Sequence, residues 1–103
     1  YEVLCMARYG AIYIAHNPQD GERVYKVGLT TRSVQERMND LTSETSNIGR
    51  YEALGHIVVS DVETAEAACH KRLIQHRVQT NREFFEADLR DVVVSVRAAC
   101  IQP

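Results

Sequence analysis

The chain has 103 residues and a mass of 11.7 kDa, so we expect a single domain over residues 1–103 with one hydrophobic core. Its composition, 45% apolar and 25% charged, is typical of a globular protein and excludes a disordered or collagenous chain. The formal net charge is −2, so the chain as a whole does not attract a polyanion. Any contact with nucleic acid must therefore be local.

The cysteines and the hydropathy pattern indicate where the protein is found. Cys5, Cys69 and Cys100 are odd in number and lack C-x-x-C spacing, which is typical of reduced thiols rather than of disulfides or a zinc site. No apolar run approaches about 18 residues and no secretory leader is visible, so we expect a cytoplasmic protein without a membrane span. Because residue 1 is Tyr1 rather than methionine, we also expect additional domains of the same parent chain.

The first predicted elements are two strands joined by a short loop. Residues 11–15 are β-prone and are followed by a cluster of turn formers, and residues 23–29 form the second strand. So short a connection predicts an antiparallel pair. Strand alternation puts Tyr13 on one face of the first strand and places Lys26 on the same side of the second strand as Gly28. The glycine predicts an open surface beside the lysine.

A helix is predicted next. Ser33 and Glu36 have the spacing of a capping box, and apolar residues follow at helical intervals, so the helix begins at Ser33 and ends near Thr45. Arg37 lies one residue from the apolar stripe of this helix. We therefore expect its side chain at the edge between the helix and the sheet.

A third strand is predicted over residues 51–59, followed by a longer helix. Alternation puts Leu54, His56 and Val58 on one face of this strand, and Tyr51, Ala53, Ile57 and Val59 on the other. Ser60 and Glu63 repeat the capping-box spacing and predict the start of the second helix. Glu66 and His70 lie four residues apart, so they occupy adjacent turns beside its core stripe.

The last part of the chain is predicted as an ordered turn and a helix. Residues 82–86 form the turn, which packs one or both of its phenylalanines, and the helix runs from Asp88 to about residue 101. Its predicted inward residues are Leu89, Val92, Val93, Val96 and Cys100. The element order is β-β-α-β-α-α, and we expect an α+β fold in which a small three-stranded antiparallel sheet is flanked by helices.

Five short motifs lie in order on these predicted elements: Gly10-Ala11-Ile12-Tyr13, Tyr25-Lys26-Val27-Gly28 with Thr30, Arg37, Ala65-Glu66 with His70, and Arg82-Glu83-Phe84-Phe85. In this order they resemble the GIY-YIG nuclease superfamily, and more narrowly its phage-associated branch, which also includes meiotically up-regulated gene products. The resemblance covers about residues 9–86. It implies a GIY-YIG-like domain that hydrolyses DNA phosphodiester bonds with a divalent metal ion.

The resemblance also implies roles for single residues. Glu66 matches the carboxylate that holds Mg²⁺ or Mn²⁺, hard ions that prefer oxygen ligands and keep several waters. Arg37 matches the arginine that binds phosphate oxygens and stabilises charge in the transition state. Tyr13 matches the tyrosine of the first motif, a phenol that takes a proton. The structural alternatives are a solvated glutamate, a surface arginine and a buried strand tyrosine.

The second motif departs from the superfamily pattern, since Lys26 stands where a tyrosine is usual and Tyr25 directly precedes it. Consecutive strand residues point to opposite faces, and the spacing to Gly28 assigns Lys26 to the surface of Tyr13. Lys26 could stabilise an ionised Tyr13, hold the attacking water, or accept the proton of that water. We hypothesise that Tyr13 and Lys26 jointly activate the water.

Two further candidate features lie on the second predicted helix and on the residues that follow it. His70 either orients water or phosphate, acts as a secondary base, or makes a structural hydrogen bond. Four positive charges without an acid follow Cys69 and form a candidate strip for the nucleic-acid backbone, with a solvated helix face as the alternative: Lys71, Arg72, Arg77 and Arg82. No base-reading motif is visible, so we expect sequence specificity to come from elsewhere.

Two functions are consistent with these observations. The first is a divalent-metal-dependent endonuclease domain that acts on DNA through Tyr13, Lys26, Arg37 and Glu66. The alternative is a catalytically silent module of the same fold that binds nucleic acid or protein, which agrees with the net charge of −2 and the changed second motif. A purely structural domain would leave the four polar residues unexplained.

Overall fold

The computed structural model describes residues 7–44, 49–78 and 83–101 and shows an α+β fold. Its strands are β1 Gly10–His16, β2 Val24–Thr30, β3 Glu52–Val59 and β4 Phe84–Glu86. Its helices are α1 Val34–Glu44, α2 Val62–Arg72 and α3 Leu89–Cys100, with short 3₁₀ turns at Pro18–Asp20 and Ile74–His76. The predicted α+β class is confirmed, but the sheet has four strands, so the prediction of three was wrong.

The strands pair in the order β3-β1-β2-β4, and every neighbouring pair is antiparallel. The predicted hairpin of β1 and β2 is present, with Tyr13 opposite Gly28 and Ala15 opposite Lys26. Directly opposed residues of an antiparallel pair project to the same face of the sheet. Tyr13 and Lys26 therefore share one face, as strand alternation predicted.

The fourth strand was missed because it is too short to show alternation. In β4, Phe85 is opposite Tyr25 and Phe84 is opposite Lys26, so the two phenylalanines project to opposite faces. Three residues with consecutive aromatics carry no period of two, and the segment was therefore predicted as a turn. The ladder of β4 pairs only with Val24–Lys26, and the rest of this edge of β2 faces α2.

A bulge in β3 changes which side chains share a face. Ile14 of β1 is opposite Gly55, but the next residue, Ala15, is opposite Ala53, so one extra residue is inserted at Leu54. Ala53 therefore lies on the Tyr13 face. The alternation predicted for β3 was wrong at this end, because a bulge is set by the pairing partner and leaves no signal in the strand itself.

Helices cover both faces of the sheet. On the α1 side the buried residues are Tyr13, Ala15, Met38, Leu41 and Tyr51. On the side of α2 and α3 they include Ile12, Ile14, Val27, Val62, Cys69, Leu73, Phe85, Val92 and Val96. Burial of a Val, Leu, Ile or Phe side chain contributes roughly 1.5–3 kcal/mol, so both layers hold the sheet firmly. Because Tyr51 packs on the α1 side, its predicted face was also wrong.

The start of α1 confirms the capping box. Ser33 Oγ accepts a hydrogen bond from the backbone N–H of Glu36 at 3.0 Å, and Glu36 Oε1 accepts one from the backbone N–H of Ser33 at 3.3 Å. The helix ends at Glu44, and the predicted end at Thr45 lies outside the described residues. Because two backbone donors at the start of α1 are satisfied by local side chains, the sequence alone was sufficient to place the start of this helix.

The cap of α2 differs from the prediction by one residue. Asp61, not Ser60, caps the helix: its carboxylate accepts hydrogen bonds from the backbone N–H of Thr64 at 3.3 Å and from its hydroxyl at 2.8 Å. Glu63 therefore does not complete a capping box and instead pairs with Arg8 at 2.5 Å. A carboxylate is a good acceptor at a positive helix N-terminus, which explains the choice of Asp61.

Helix α3 buries a narrower stripe than predicted. Val92, Val96 and Ala99 are buried, whereas Leu89 and Val93 are 37% and 43% exposed, so their predicted inward position was wrong. Both line an apolar groove between α3 and β3, which the sheet leaves uncovered. Within the described ranges, no helix has the length and apolar content needed to cross a membrane.

The described cysteines are free thiols, in agreement with the prediction. Cys69 is buried under α3, and its sulfur lies 3.8 Å from that of the half-buried Cys100. Burial raises the pKa of the Cys69 thiol well above its ordinary value, which makes it unreactive. Cys5 lies outside the described residues.

Candidate functional site

The site lies at Gly28, where the absence of a Cβ leaves space beside the backbone of β2. A Cβ atom added there would lie 2.6 Å from the Tyr13 hydroxyl oxygen and 3.3 Å from Lys26 Nζ. Tyr13 comes from β1 and Lys26 from β2, and the glycine opposite Tyr13 leaves the space that both polar ends approach. The hairpin register therefore brings one phenol and one ammonium group close to the backbone of Gly28.

Lys26 is buried, with 5% of its surface exposed, although its side chain is charged. Its ammonium donates a hydrogen bond to Glu83 Oε1, and its Nζ atom lies 5.6 Å from the ring centre of Phe84 and 5.9 Å from that of Tyr13. A buried charge is tolerated only with a partner, and here the carboxylate and two aromatic faces supply it. The position of Lys26 is thus fixed from several sides.

Tyr13 is fully buried, and its hydroxyl has no hydrogen-bond partner of normal geometry among the described residues. The half-buried guanidinium of Arg37 approaches this oxygen, and its interaction with Tyr13 is the main reason why the pKa of Arg37 is raised. Arg37 also lies 3.8 Å from Glu44. The phenolic oxygen is therefore flanked by two cations, Lys26 and Arg37, and retains capacity to bind another group.

Helix α2 contacts the edge of β2 just beyond Val24–Lys26, the residues that pair with β4. His70 Nε2 donates to the carbonyl oxygen of Val27 at 2.7 Å, and its ring centre lies 5.3 Å from that of Phe85. One turn earlier, the carboxylate of Glu66 lies near the backbone N–H of Leu29, which acts to lower its pKa. His70 thus satisfies a backbone group that a longer β4 would have paired, and this contact brings Glu66 beside the sheet.

The pKa values of the two carboxylates of the site, Glu66 and Glu83, are shifted in opposite directions. Burial raises the pKa of Glu66, helped by the charge of Glu83 and opposed by His70 and Lys26. Burial also acts to raise the pKa of Glu83, but the hydrogen bond and charge of Lys26 outweigh it, and the pKa is lowered overall. Glu83 is therefore stabilised as an anion by its cation, whereas Glu66 would gain from an additional positive charge.

The residues fit a sparsely coordinated divalent ion. Within the described part of the chain, no three His, Cys, Asp or Glu side chains are gathered as a metal cage. Mg²⁺ and Mn²⁺ do not require one, because they keep several waters and are often held by one or two carboxylates. The half-buried Glu66, whose ionised form is penalised by burial, is the residue suited to hold such an ion.

The candidate basic strip continues from this site. Lys71 and Arg72 are exposed at the end of α2, and a groove of about 450 Å³ is lined by Glu66, His70, Lys71 and Arg77. Arg77 is half-buried, and its guanidinium carbon lies 5.9 Å from the ring centre of Phe85, so it packs as well as carrying charge. Arg82 lies outside the described residues.

The structure brings Tyr13, Lys26, Arg37, Glu66 and His70 to one region, although they come from three different layers. For His70, the hydrogen bond to a backbone carbonyl corresponds to the structural alternative. Sequence reasoning placed Glu83 in the fifth motif but gave it no definite role, and in the structure it pairs with Lys26 from 57 positions away. The available signal was a buried strand lysine in need of an acidic partner, but the sequence offered many acids.

These features define a small α+β domain with a polar site of phenol, amine, guanidinium and carboxylate groups at the centre of its sheet. A family model, the T5orf172 domain, matches residues 10–100, and the chain belongs to this family. Membership is compatible with a nuclease-like or DNA-binding module. No curated protein and no solved structure matches the chain significantly.

Proposed function

We propose that this chain is a GIY-YIG-type endonuclease domain that hydrolyses DNA phosphodiester bonds with bound Mg²⁺ or Mn²⁺. The observation that carries the proposal is that Tyr13 Oη and Lys26 Nζ both approach the space that a Cβ at Gly28 would fill, with Arg37 beside the same hydroxyl. A buried hydroxyl that lacks a hydrogen-bond partner among the described residues and lies beside two cations retains capacity to bind an anionic group. A phosphodiester supplies that anion.

Two residues bind the substrate phosphate in this proposal. The planar guanidinium of Arg37 donates to non-bridging phosphate oxygens and stabilises the charge that develops on them. Glu66 holds the divalent ion, which when bound supplies Lewis-acid stabilisation of the same charge. The raised pKa of Glu66 agrees with this role, because an ion would favour the ionised carboxylate that burial penalises.

Tyr13 and Lys26 prepare the attacking water. The water oxygen forms a bond to phosphorus while the bond from phosphorus to the leaving oxygen breaks. The water proton passes to the ionised oxygen of Tyr13, which Lys26 and Arg37 stabilise, and the leaving oxygen takes a proton from solvent. Burial of Tyr13 and Lys26 holds both groups in place before substrate binds.

The remaining residues support binding. His70 ties α2 to the edge of β2 through Val27 and so keeps Glu66 directed at the site. Lys71, Arg72 and Arg77 of the basic strip contact the DNA backbone beyond the scissile phosphate, and we propose the same contact for Arg82. Because these contacts are to phosphates, they add affinity without reading sequence.

A catalytically silent module that binds nucleic acid is the second candidate. Two observations favour it: the net charge is −2, and Lys26 stands where the second motif of the superfamily usually has a tyrosine. In such a module the basic strip would bind the backbone, while Lys26 and Glu83 would serve only as a buried ion pair. The two candidates differ in turnover, not in binding.

A plasmid-nicking assay separates them. The wild type should convert supercoiled DNA to nicked circles with Mg²⁺ or Mn²⁺ but not with excess EDTA, and Glu66→Ala should abolish this conversion. Glu63→Ala is the matched control, because this exposed glutamate lies one turn earlier on α2. Equal nicking by wild type and Glu66→Ala would mean a contaminant or a wrong site. DNA binding without nicking in either metal would establish the silent module.

A further inference from the structure

We propose that Glu83 is a positioning residue of this site, which holds the Lys26 ammonium beside the Tyr13 oxygen and so leaves Tyr13, not Lys26, to take the water proton. The inference rests on the proposed function, because it assigns work within the same reaction. Neither the motifs of the sequence nor the family match assigns a role to Glu83.

The contacts of Lys26 leave it little freedom. Its ammonium is hydrogen-bonded to Glu83 Oε1, its stem lies in a buried strand, and its Nζ atom lies against the rings of Tyr13 and Phe84. Nζ also lies 3.3 Å from the position that a Cβ at Gly28 would occupy, close to the Tyr13 hydroxyl. The carboxylate of Glu83 therefore approaches the ammonium from the β4 side, while the phenol lies on the β1 side.

This arrangement decides between the alternatives for Lys26. An ammonium group that donates a hydrogen bond to a carboxylate has no free lone pair, so it cannot accept a proton from water. The Tyr13 oxygen, in contrast, is buried, free of a normal hydrogen-bond partner among the described residues, and flanked by the cations Lys26 and Arg37. Lys26 therefore stabilises negative charge on the phenolic oxygen, and Glu83 keeps it there.

The placement of Glu83 also explains its position in the chain. Glu83 directly precedes β4, and its backbone carbonyl accepts a hydrogen bond from the N–H of Val27 at 3.0 Å, next to Lys26 in β2. The short ladder of β4 thus fixes the backbone from which the carboxylate reaches Lys26. A side chain anchored by strand pairing holds its partner more precisely than one on a free loop.

A double-mutant cycle tests this role in the full chain. Glu83→Gln should lower the single-turnover nicking rate about tenfold or more with little change in DNA affinity, and Lys26→Met should lower it about a hundredfold. If Glu83 acts through Lys26, adding Glu83→Gln to Lys26→Met should change the rate less than about twofold. A further tenfold loss in the double variant would show an independent role and overturn the inference.

Glu86→Gln is the matched control for Glu83→Gln, because Glu86 is an exposed acid at the end of β4, three residues after Glu83. It should nick DNA at the wild-type rate. Melting curves of all variants identify any loss that comes from unfolding, and rates are compared only among variants that remain folded at the assay temperature. A loss in Glu86→Gln equal to that in Glu83→Gln would mean that any acid near β4 matters, which contradicts a specific contact with Lys26.

Acylation of lysine gives a readout that does not depend on cleavage. Lys26 and Lys71 are the two lysines of the chain, and Lys71 is exposed, so it serves as an internal standard. With limiting acetic anhydride, the ratio of Lys26 to Lys71 acetylation should be low in the wild type. In Glu83→Gln it should rise several-fold, because the Lys26 nitrogen has lost the carboxylate to which it is hydrogen-bonded. An unchanged ratio would overturn the positioning of Lys26 by Glu83.

The failures of this inference and of the proposed function are distinct. If the wild type nicks DNA in a Glu66-dependent way but the Glu83 and Lys26 effects are additive, only the inference fails. If the wild type does not nick DNA while the acylation ratio responds to Glu83→Gln, the pair exists but the proposed reaction is refuted. In that case the catalytic part of the inference is refuted with it.

Discussion

Gly28→Ala is the substitution whose effect follows most directly from the geometry of the site. The added Cβ would lie 2.6 Å from the Tyr13 hydroxyl oxygen and 2.9 Å from its Cζ atom, whereas ordinary contact begins at 3.4 Å. The hydroxyl must therefore retreat by about 0.8 Å, or the β1–β2 pair must open by a similar distance. Tyr13 is fully buried beside α1, so neither adjustment is free.

Both stability and activity should respond. Overpacking of this kind costs about 1–3 kcal/mol. For a domain of this size each kcal/mol lowers the melting temperature by about 4–8 °C, so a fall of about 4–24 °C is expected. A displacement of about 1 Å at a reacting group can lower the rate about a hundredfold. The nicking rate should therefore fall well beyond the loss expected from the unfolded fraction.

Gly55→Ala provides the control for both measurements. Gly55 lies in β3, and a Cβ added there would meet no atom within 4 Å. This variant should nick DNA like the wild type and melt within about 0.5 kcal/mol of it. If Gly28→Ala behaves like Gly55→Ala in both assays, then the hydroxyl of Tyr13 is not held over Gly28 and the proposed arrangement of the site is wrong.

Three further predictions concern charge. Because burial raises the pKa of Glu66, its ionised form costs stability, so Glu66→Gln should abolish nicking yet raise the melting temperature at pH 7, with this gain vanishing below about pH 4. Arg37→Lys keeps the positive charge but loses the planar guanidinium that can donate two hydrogen bonds to one phosphate, and it should lower the nicking rate about tenfold to a thousandfold. Lys71→Ala and Arg72→Ala should each reduce the slope of log affinity against log salt by about one, whereas exposed Arg90→Ala of α3 should not. An unchanged melting curve, an active Arg37→Lys, or an unchanged salt slope would refute the respective argument.

The secondary structure was predictable where its causes are local. The capping box of Ser33 and Glu36 placed the start of α1, because both hydrogen bonds join residues three apart. Alternation along β1 and β2 placed Tyr13 and Lys26 on one face, because a short hairpin leaves little choice of register. The strand β4 and the bulge at Leu54 were not predictable, because each exists only through pairing with a distant strand.

The residues of the site also divide into those predictable from local sequence and those that depend on distant contacts. Tyr13, Lys26, Arg37 and Glu66 were recognisable from their motifs, although their shared location depended on the packing of helices on both faces. Glu83 was not recognisable, because its partner lies 57 positions earlier and the bond forms only when β4 docks on β2. His70 was left with several roles, and its hydrogen bond to the carbonyl of Val27 became evident only from the open edge of the sheet.

The amino-acid sequence by itself determined the α+β class, the hairpin that places Tyr13 and Lys26 on one face, and the capped start of α1, since these depend on neighbours within a few positions. Only the tertiary structure decided which acid neutralises the buried lysine, which cation approaches the phenol, and which backbone group of β2 is hydrogen-bonded by α2. The reason is physical: a buried charge or an unpaired strand edge must find some partner, but the partner is selected by distances that exist only after the layers have packed.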